Sequence, residues 1–302
     1  ISLDNSFIGV ISEGFSRNLP SDITPNFRYN ARSQDIVDNP DSSRIYNGSI
    51  KGNAMAGILG AADHIAGMVP NIPIMCVATT TLGRGCTQDF AIIRAFTFLL
   101  YKRINGGGGS PSTPIDLKVI VWDGQRDCNN ARDDGVRDAI TACQNWDILI
   151  VVPAEDGNPY DRSTTSGKDI EDIADQFSAI TYADLVVTSM TKEGTMPASA
   201  NWSQQYVDIS APGESVLASN TDNGVTTVSG TWVAATYVAG ACALLSILNK
   251  TKSTYEIKRA IVSSAKKLNV HDSKPVASMG MLNVQGAHEY LGNPAGPPPP
   301  PP

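Results

Sequence analysis

Short apolar runs alternate with amphipathic stretches along most of this chain, and that rhythm constrains the fold more than any other feature. Phe7–Ile11, Pro73–Ala78, Lys118–Trp122, Asp147–Val152 and Ala183–Thr188 read as strands. Asn53–Ile65, Gln88–Ile104 and Ala131–Asn145 carry helical spacing, and Trp232–Leu248 and Thr254–Leu268 add two more helices. A strand that is apolar on both faces cannot leave either face in water, so helices must cover both. The alternation predicts an α/β fold of three layers, with a mostly parallel central sheet between helices.

Composition narrows the class of function. The chain has 302 residues, is 41% hydrophobic and 18% charged, and carries a net charge of −7. That supports a sizeable core and argues against global disorder. Basic residues are scattered without a stripe or aromatic interleaving, which excludes the usual nucleic-acid footprint. No uninterrupted apolar run reaches the roughly 18 residues a membrane span needs, so none is expected. The chain opens at Ile1 without a signal-peptide pattern, which leaves a removed leader open.

Two segments break the rhythm. Asn105–Pro114, with four consecutive glycines, reads as an exposed insertion and an O-glycosylation candidate. After residue 292 the chain runs Asn293-Pro294-Ala295-Gly296 into six prolines, Pro297, Pro298, Pro299, Pro300, Pro301 and Pro302. Such a run imposes polyproline II, as a linker or as the start of a stalk. The organisation expected is one domain over 1–292 and a Pro-rich tail over 293–302. Three triplets fit the N-glycosylation pattern, at Asn47, Asn201 and Asn249, each in a polar stretch expected at the surface. They favour a secretory, extracellular or cell-surface setting. The five cysteines, Cys76, Cys86, Cys128, Cys143 and Cys242, show no metal-ligand spacing, and Cys242 reads as a core thiol.

Six short motifs, in order, carry a resemblance. They are Val10-Ile11-Ser12-Glu13-Gly14; Lys51-Gly52-Asn53-Ala54-Met55-Ala56-Gly57; Val151-Val152-Pro153-Ala154-Glu155-Asp156; Asp208-Ile209-Ser210-Ala211-Pro212-Gly213; Gly230-Thr231-Trp232-Val233-Ala234; and Gly280-Met281-Leu282-Asn283-Val284. Their order and spacing resemble the subtilisin-like serine protease family from about residue 7 to 290. The resemblance implies that family's fold. It also implies that Ser12 stands at the place of the catalytic aspartate, Ala54 at that of the general-base histidine and Trp232 at that of the nucleophilic serine. Asp156 or Glu155 falls where the oxyanion asparagine is expected.

Serine hydrolysis needs a hydroxyl, a base, a carboxylate to orient the base, and oxyanion donors. By this resemblance every one of those positions is altered. A carboxylate at the oxyanion position would repel developing negative charge. The three histidines, His64, His271 and His288, lie elsewhere; His64 is ten residues beyond Ala54, about 15 Å away if that helix continues. Ser229 is three residues before Trp232 and would need a different backbone to act. Trp232, joined by Trp122 at the end of its strand, is expected to fill the former cleft. A sharper alternative is an aromatic platform for sugars or a peptide. The same resemblance implies a Cys86–Cys128 bridge, with Cys128–Cys143 as competitor and free thiols as the alternative. Calcium follows from the resemblance only, with no loop specific enough to name, and no other metal or cofactor is expected.

The reading that results is a non-catalytic subtilisin-like domain, not an enzyme. It would serve as an extracellular structural or binding module on a Pro-rich stalk. Its partners would be other protein subunits, extracellular-matrix or cell-surface components, or glycans, and not nucleic acid or a membrane span. The alternatives are a regulator that binds peptides, propeptides or inhibitors in the vestigial cleft by strand addition, and an active serine peptidase with a rearranged site.

Overall fold

The computed structural model describes residues 3, 5–15, 19, 25–31, 35–36, 50–79, 89–106, 115–124, 134–157, 166–170, 178–220 and 224–293, with 25–28, 30, 35–36 and 178–179 described by backbone alone. In chain order the strands are β1 (Ser6–Ser12), β2 (Pro25–Asn30), β3 (Asp35–Ile36), β4 (Ile74–Ala78), β5 (Asp116–Trp122), β6 (Leu149–Pro153), β7 (Leu185–Met190), β8 (Ile209–Pro212), β9 (Val216–Ser219), β10 (Val225–Val228), β11 (Lys266–Lys267) and β12 (Gly280–Met281). The helices are α1 (Lys51–Gly60), α2 (Asp89–Asn105), α3 (Asp134–Gln144), α4 (Ser178–Tyr182), α5 (Thr231–Leu248), α6 (Thr254–Ser263) and α7 (Val284–Gly292). Ten strands form one sheet in the order β11-β12-β8-β7-β6-β5-β1-β4-β2-β3, and β9 and β10 pair as a separate antiparallel hairpin. From β8 to β2 the sheet is parallel, and only its outermost pairs, β11–β12 and β2–β3, run antiparallel. The α/β three-layer fold expected from the alternation is the one observed.

Side-chain alternation divides the core in two. On β6, Leu149 and Val151 join the cluster that includes α5, α6 and α7, while Ile150 and Val152 join the cluster of α2 and α3. Gly9 on β1 serves close packing: a Cβ there would meet Leu99 of α2 and Ile120 of β5 at 3.0 Å. Helix α5 is apolar all round because it is buried all round; it packs on β5, β6, β7 and β8 and against α1. With 18 residues and a mean hydropathy of 1.7, α5 is long and apolar enough to cross a bilayer, contrary to the expectation that nothing in the chain is. Most of it is enclosed by the sheet and neighbouring helices.

Two helices are shorter than their spacing suggests. Helix α1 stops at Gly60 rather than Ile65 because the chain folds back on its last turn. Met68 N donates to Ile58 O and Val69 N to Leu59 O, satisfying carbonyls that a longer helix would have used. Helix α6 stops at Ser263, and Lys266–Lys267 turns into a strand against β12. Its start is sharply defined by a capping box between Ser253 and Glu256.

Candidate functional site

Three parallel strands and two helix starts converge on one end of the sheet. Strand β1 ends at Ser12, β5 runs into Asp123, and β6 runs into Glu155 and Asp156; α1 opens with Lys51 and α5 with Thr231 and Trp232. The carboxyl ends of parallel strands are where open α/β sheets place their ligand sites. The β1–β5 register sets Ile11 opposite Trp122, which brings the next residues together. Ser12 Oγ donates to Asp123 Oδ2 at 2.8 Å, and Glu13 N donates to the same oxygen at 2.9 Å. Burial raises the Asp123 carboxyl above its ordinary range, opposed by the Lys51 charge and by the Glu13 and Ser12 bonds.

Glu155 holds a left-handed backbone, φ 65°. An unbranched residue adopts this conformation only at some cost, and glycine adopts it freely. The Glu155 side chain lies over Gly124, where an added Cβ would come within 2.0 Å of Oε1. Burial pushes the Glu155 carboxyl up to about 8; Lys51 pulls against this, and the Asp156 and Asp123 carboxylates add to it.

Asp156 holds the start of α5. Its Oδ2 accepts from Thr231 N at 2.9 Å and from Thr231 Oγ1 at 3.1 Å, and its Oδ1 accepts from Ser199 Oγ at 3.3 Å. Burial raises its pKa, and the Thr231 and Ser199 bonds, with Lys51 behind them, lower it. A helix start favours negative charge and has N–H groups to spare. Residue Gly230, the N-cap, has no side chain to use them, so a carboxylate from β6 does. The Gly230 φ of 137° and its missing Cβ let the indole of Trp232 fold close; a Cβ would meet the ring at 2.8 Å.

Ala54 and Trp232 meet in one apolar cluster. Ala54, Ile58, Ala218, Val228 and Val233 are buried together, with Trp232, Tyr237 and Val216 packed against them. Lys51 Nζ lies 5.9 Å from the Trp232 ring centroid, within cation–π range. The indole therefore packs on the cluster that contains Ala54. Trp122 does not join it, which corrects the expectation of two indoles in one cleft. It is 0% exposed on the opposite face of the sheet, edge-on to Phe96 with centroids 5.8 Å apart. One step along a strand reverses the face, and Trp122 follows Val121, which points toward α5. The Trp122 Nε1 has no hydrogen-bond partner.

The other sequence candidates lie apart from this cluster. His64 is not on α1; its Nε2 sits 2.7 Å from Ser219 Oγ on β9. His271 is buried between Ser210 Oγ and the carbonyl of Lys274, each at 3.0 Å, and burial lowers its pKa. His288 is exposed on α7. Ser229 is exposed, donating to Glu214 Oε1 at 2.8 Å. Asn201 is not a surface residue: it is 0% exposed, donates to Ala154 O at 3.0 Å and accepts from Lys168 N at 3.1 Å. That position leaves no room for a glycan. Asn249 is partly exposed at the end of α5, with Nδ2 donating to Leu245 O. Cys143 and Cys242 are free, buried thiols, which removes the Cys128–Cys143 pairing, and Cys76 is buried on β4. Burial pushes the Cys143 thiol up to about 12. Asn47, Cys86, Cys128, residues 107–114 and Pro297–Pro302 lie outside the described residues. Among the described residues no group of three His, Cys, Asp or Glu side chains could hold a metal ion.

Sequence reasoning did not find Lys51, Asp123 or Thr231. Only Asp123 carried a local signal, a carboxylate directly after the apolar run Lys118–Trp122. Its pairing with Ser12 spans 111 residues and needs the sheet.

The chain is similar to a thermophilic serine proteinase of Bacillus sp. (strain AK1), 27% identical over 243 residues, which is 79% of this chain and 52% of that protein. It is also similar to Subtilisin-like protease 4 of Trichophyton rubrum, 34% identical over 103 residues, 34% of this chain and 23% of that one. The chain thus matches about half, or less, of the length of these relatives. Among solved structures, the prenylagaramide maturation protease PagA superposes with a TM-score of 0.68 at 20% identity, covering 95% of this chain and 93% of that one. Fervidolysin from Fervidobacterium pennivorans, a keratinolytic enzyme related to subtilisin, gives a TM-score of 0.71 at 15% identity, covering 94% and 42%. The model of the subtilase family, peptidase S8, matches residues 4–287, nearly the whole folded region, and the chain belongs to that family.

Proposed function

We propose that this subtilase domain is not a peptidase and serves as a rigid extracellular binding or structural module. The observation that carries the reading is the Asp156 carboxylate seated on Thr231 N and Oγ1. Acyl transfer needs donors free to receive an oxyanion at such a helix start. Here the chain's own carboxylate takes them, beside an indole and a methyl group at the positions the family gives to nucleophile and base. Ser12 donates its hydroxyl to Asp123 rather than orienting an imidazole. The relatives are named as proteases, and in this reading the difference lies in the residues this chain carries at Ser12, Ala54, Asp156 and Trp232.

In this reading the domain sits outside the cell, joined to other material through the Pro-rich segment from residue 293. Asn249 is the described sequon with an exposed side. Its partners are protein subunits or extracellular-matrix components. The test is labelling of the full chain by a serine-directed fluorophosphonate, together with hydrolysis of a fluorogenic peptide mixture. No label and no turnover are expected for the wild-type chain. Stoichiometric labelling at any serine would overturn the reading.

A further inference from the structure

Helices α6 and α7 lie antiparallel, as their bonds show. Asn283 Nδ2 donates to Ser264 O at 3.2 Å, and Arg259 Nη2 donates to Tyr290 Oη at 3.1 Å. Continuing that register brings the end of α7, at Asn293, alongside the start of α6. Three large apolar side chains are exposed around that start: Tyr255 at 66%, Trp146 at 49% and Leu248 at 44%. Tyr255 and Trp146 are the centre of this patch, brought near one another through the residues beside them. Asp147 Oδ1 accepts from Thr254 N and Oγ1, each at 2.8 Å, tying the residue after Trp146 to the residue before Tyr255. Leu248 ends α5, and the short turn 249–253 joins it to α6.

We propose that the chain's own segment Pro294–Pro302 docks on this patch as a polyproline II strand. The segment follows Asn293, which the α6–α7 register sets beside the start of α6. Nine residues in that conformation reach about 28 Å, three per turn, enough to cross Tyr255 and Trp146. The chemistry matches. Proline rings stack on exposed aromatic faces, and a polyproline strand has carbonyl acceptors but no N–H donors, so an indole N–H and a phenol O–H suit it. The remaining exposed apolar groups among the described residues are worse placed, with Ile50 at the start of α1 beside the carboxylate cluster. Phe90, Tyr101 and Ile104 are on α2, across the sheet from α6 and α7. Leu217 and Val225 belong to the β9–β10 hairpin, which packs on α1. A tail docked in this way leaves the domain at the pole opposite the carboxylate cluster. The proposal does not depend on the domain being inactive.

The test uses the full chain carrying 5-fluorotryptophan, with the Trp146 resonance assigned from Trp146→Phe. Replacing Pro297–Pro302 by serines should shift that resonance. Adding the peptide AGPPPPPP to the serine variant should return it saturably to its original position. Tyr255→Ala in the full chain should reproduce the shift, and Tyr101→Ala should not. A Trp146 resonance that is the same with prolines and with serines would overturn the proposal. So would a docked position that appears only as protein concentration rises, which would assign the patch to a second copy's tail.

Discussion

Replacing Glu155 by glutamine isolates one perturbed acid of the cluster. Burial, with the Asp156 and Asp123 carboxylates beside it, holds Glu155 near 8 against an ordinary value of 4.5. The folded chain therefore keeps a proton that the unfolded chain releases. Between those two values folding binds one more proton than unfolding, so stability falls as pH rises, by about 1.36 kcal/mol per pH unit. The contribution is fully present below 4.5, is reduced by about 3 kcal/mol at pH 7, and is down by about 5 kcal/mol once pH passes 8. Glutamine keeps the shape and cannot ionise. Urea unfolding at pH 5, 7 and 9 should show the Glu155→Gln chain gaining steadily on the wild type. The difference between the two removes the similar slopes that Asp123 and Asp156 impose on both. Parallel stability curves across that range would refute the assignment of Glu155 as a buried, protonated acid.

Three further outcomes follow from the site and its surroundings. Asp156→Ala removes the oxygen that accepts both Thr231 bonds at the start of α5 and should cost about 1–3 kcal/mol in urea unfolding. Asn201→Ala leaves Ala154 O and Lys168 N without their bonds inside the fold. It should cost about 2–4 kcal/mol, and peptide mapping of protein made in a glycosylating host should find Asn201 unmodified. Trp122→Ala should cost about 3–5 kcal/mol, as a cavity in a packed core does. Trp232→Ala should cost distinctly less, because that indole is half exposed; equal losses would contradict their placement on opposite faces of the sheet.

Much of the site was legible in the sequence because it depends on backbone frames. The glycines of Gly230-Thr231 and the small residues of Ala239-Gly240 are required by close packing; a Cβ at Gly240 would meet Met68 Cβ at 2.6 Å. Such frames carry the resemblance from which Ser12, Ala54 and Trp232 are read. What a side chain does at its position was less legible. Trp122 looked like a partner of Trp232 because both flank one end of the sheet. Asn201 looked exposed because its neighbours are polar, yet its amide is spent on two backbone groups of the interior.

By itself the sequence determined the layers, through apolar strands that water cannot touch, and carried the ordered motifs that mark the family. Only the tertiary structure decided how those residues are used. The parallel register set Ser12 on Asp123. The left-handed turn at Glu155 aimed Asp156 at Thr231. Strand alternation sent Trp122 into the far core while Trp232 stayed with Ala54. Each of these depends on contacts between residues far apart in the chain, where a one-residue change of face exchanges core for cleft, and no local pattern records that choice.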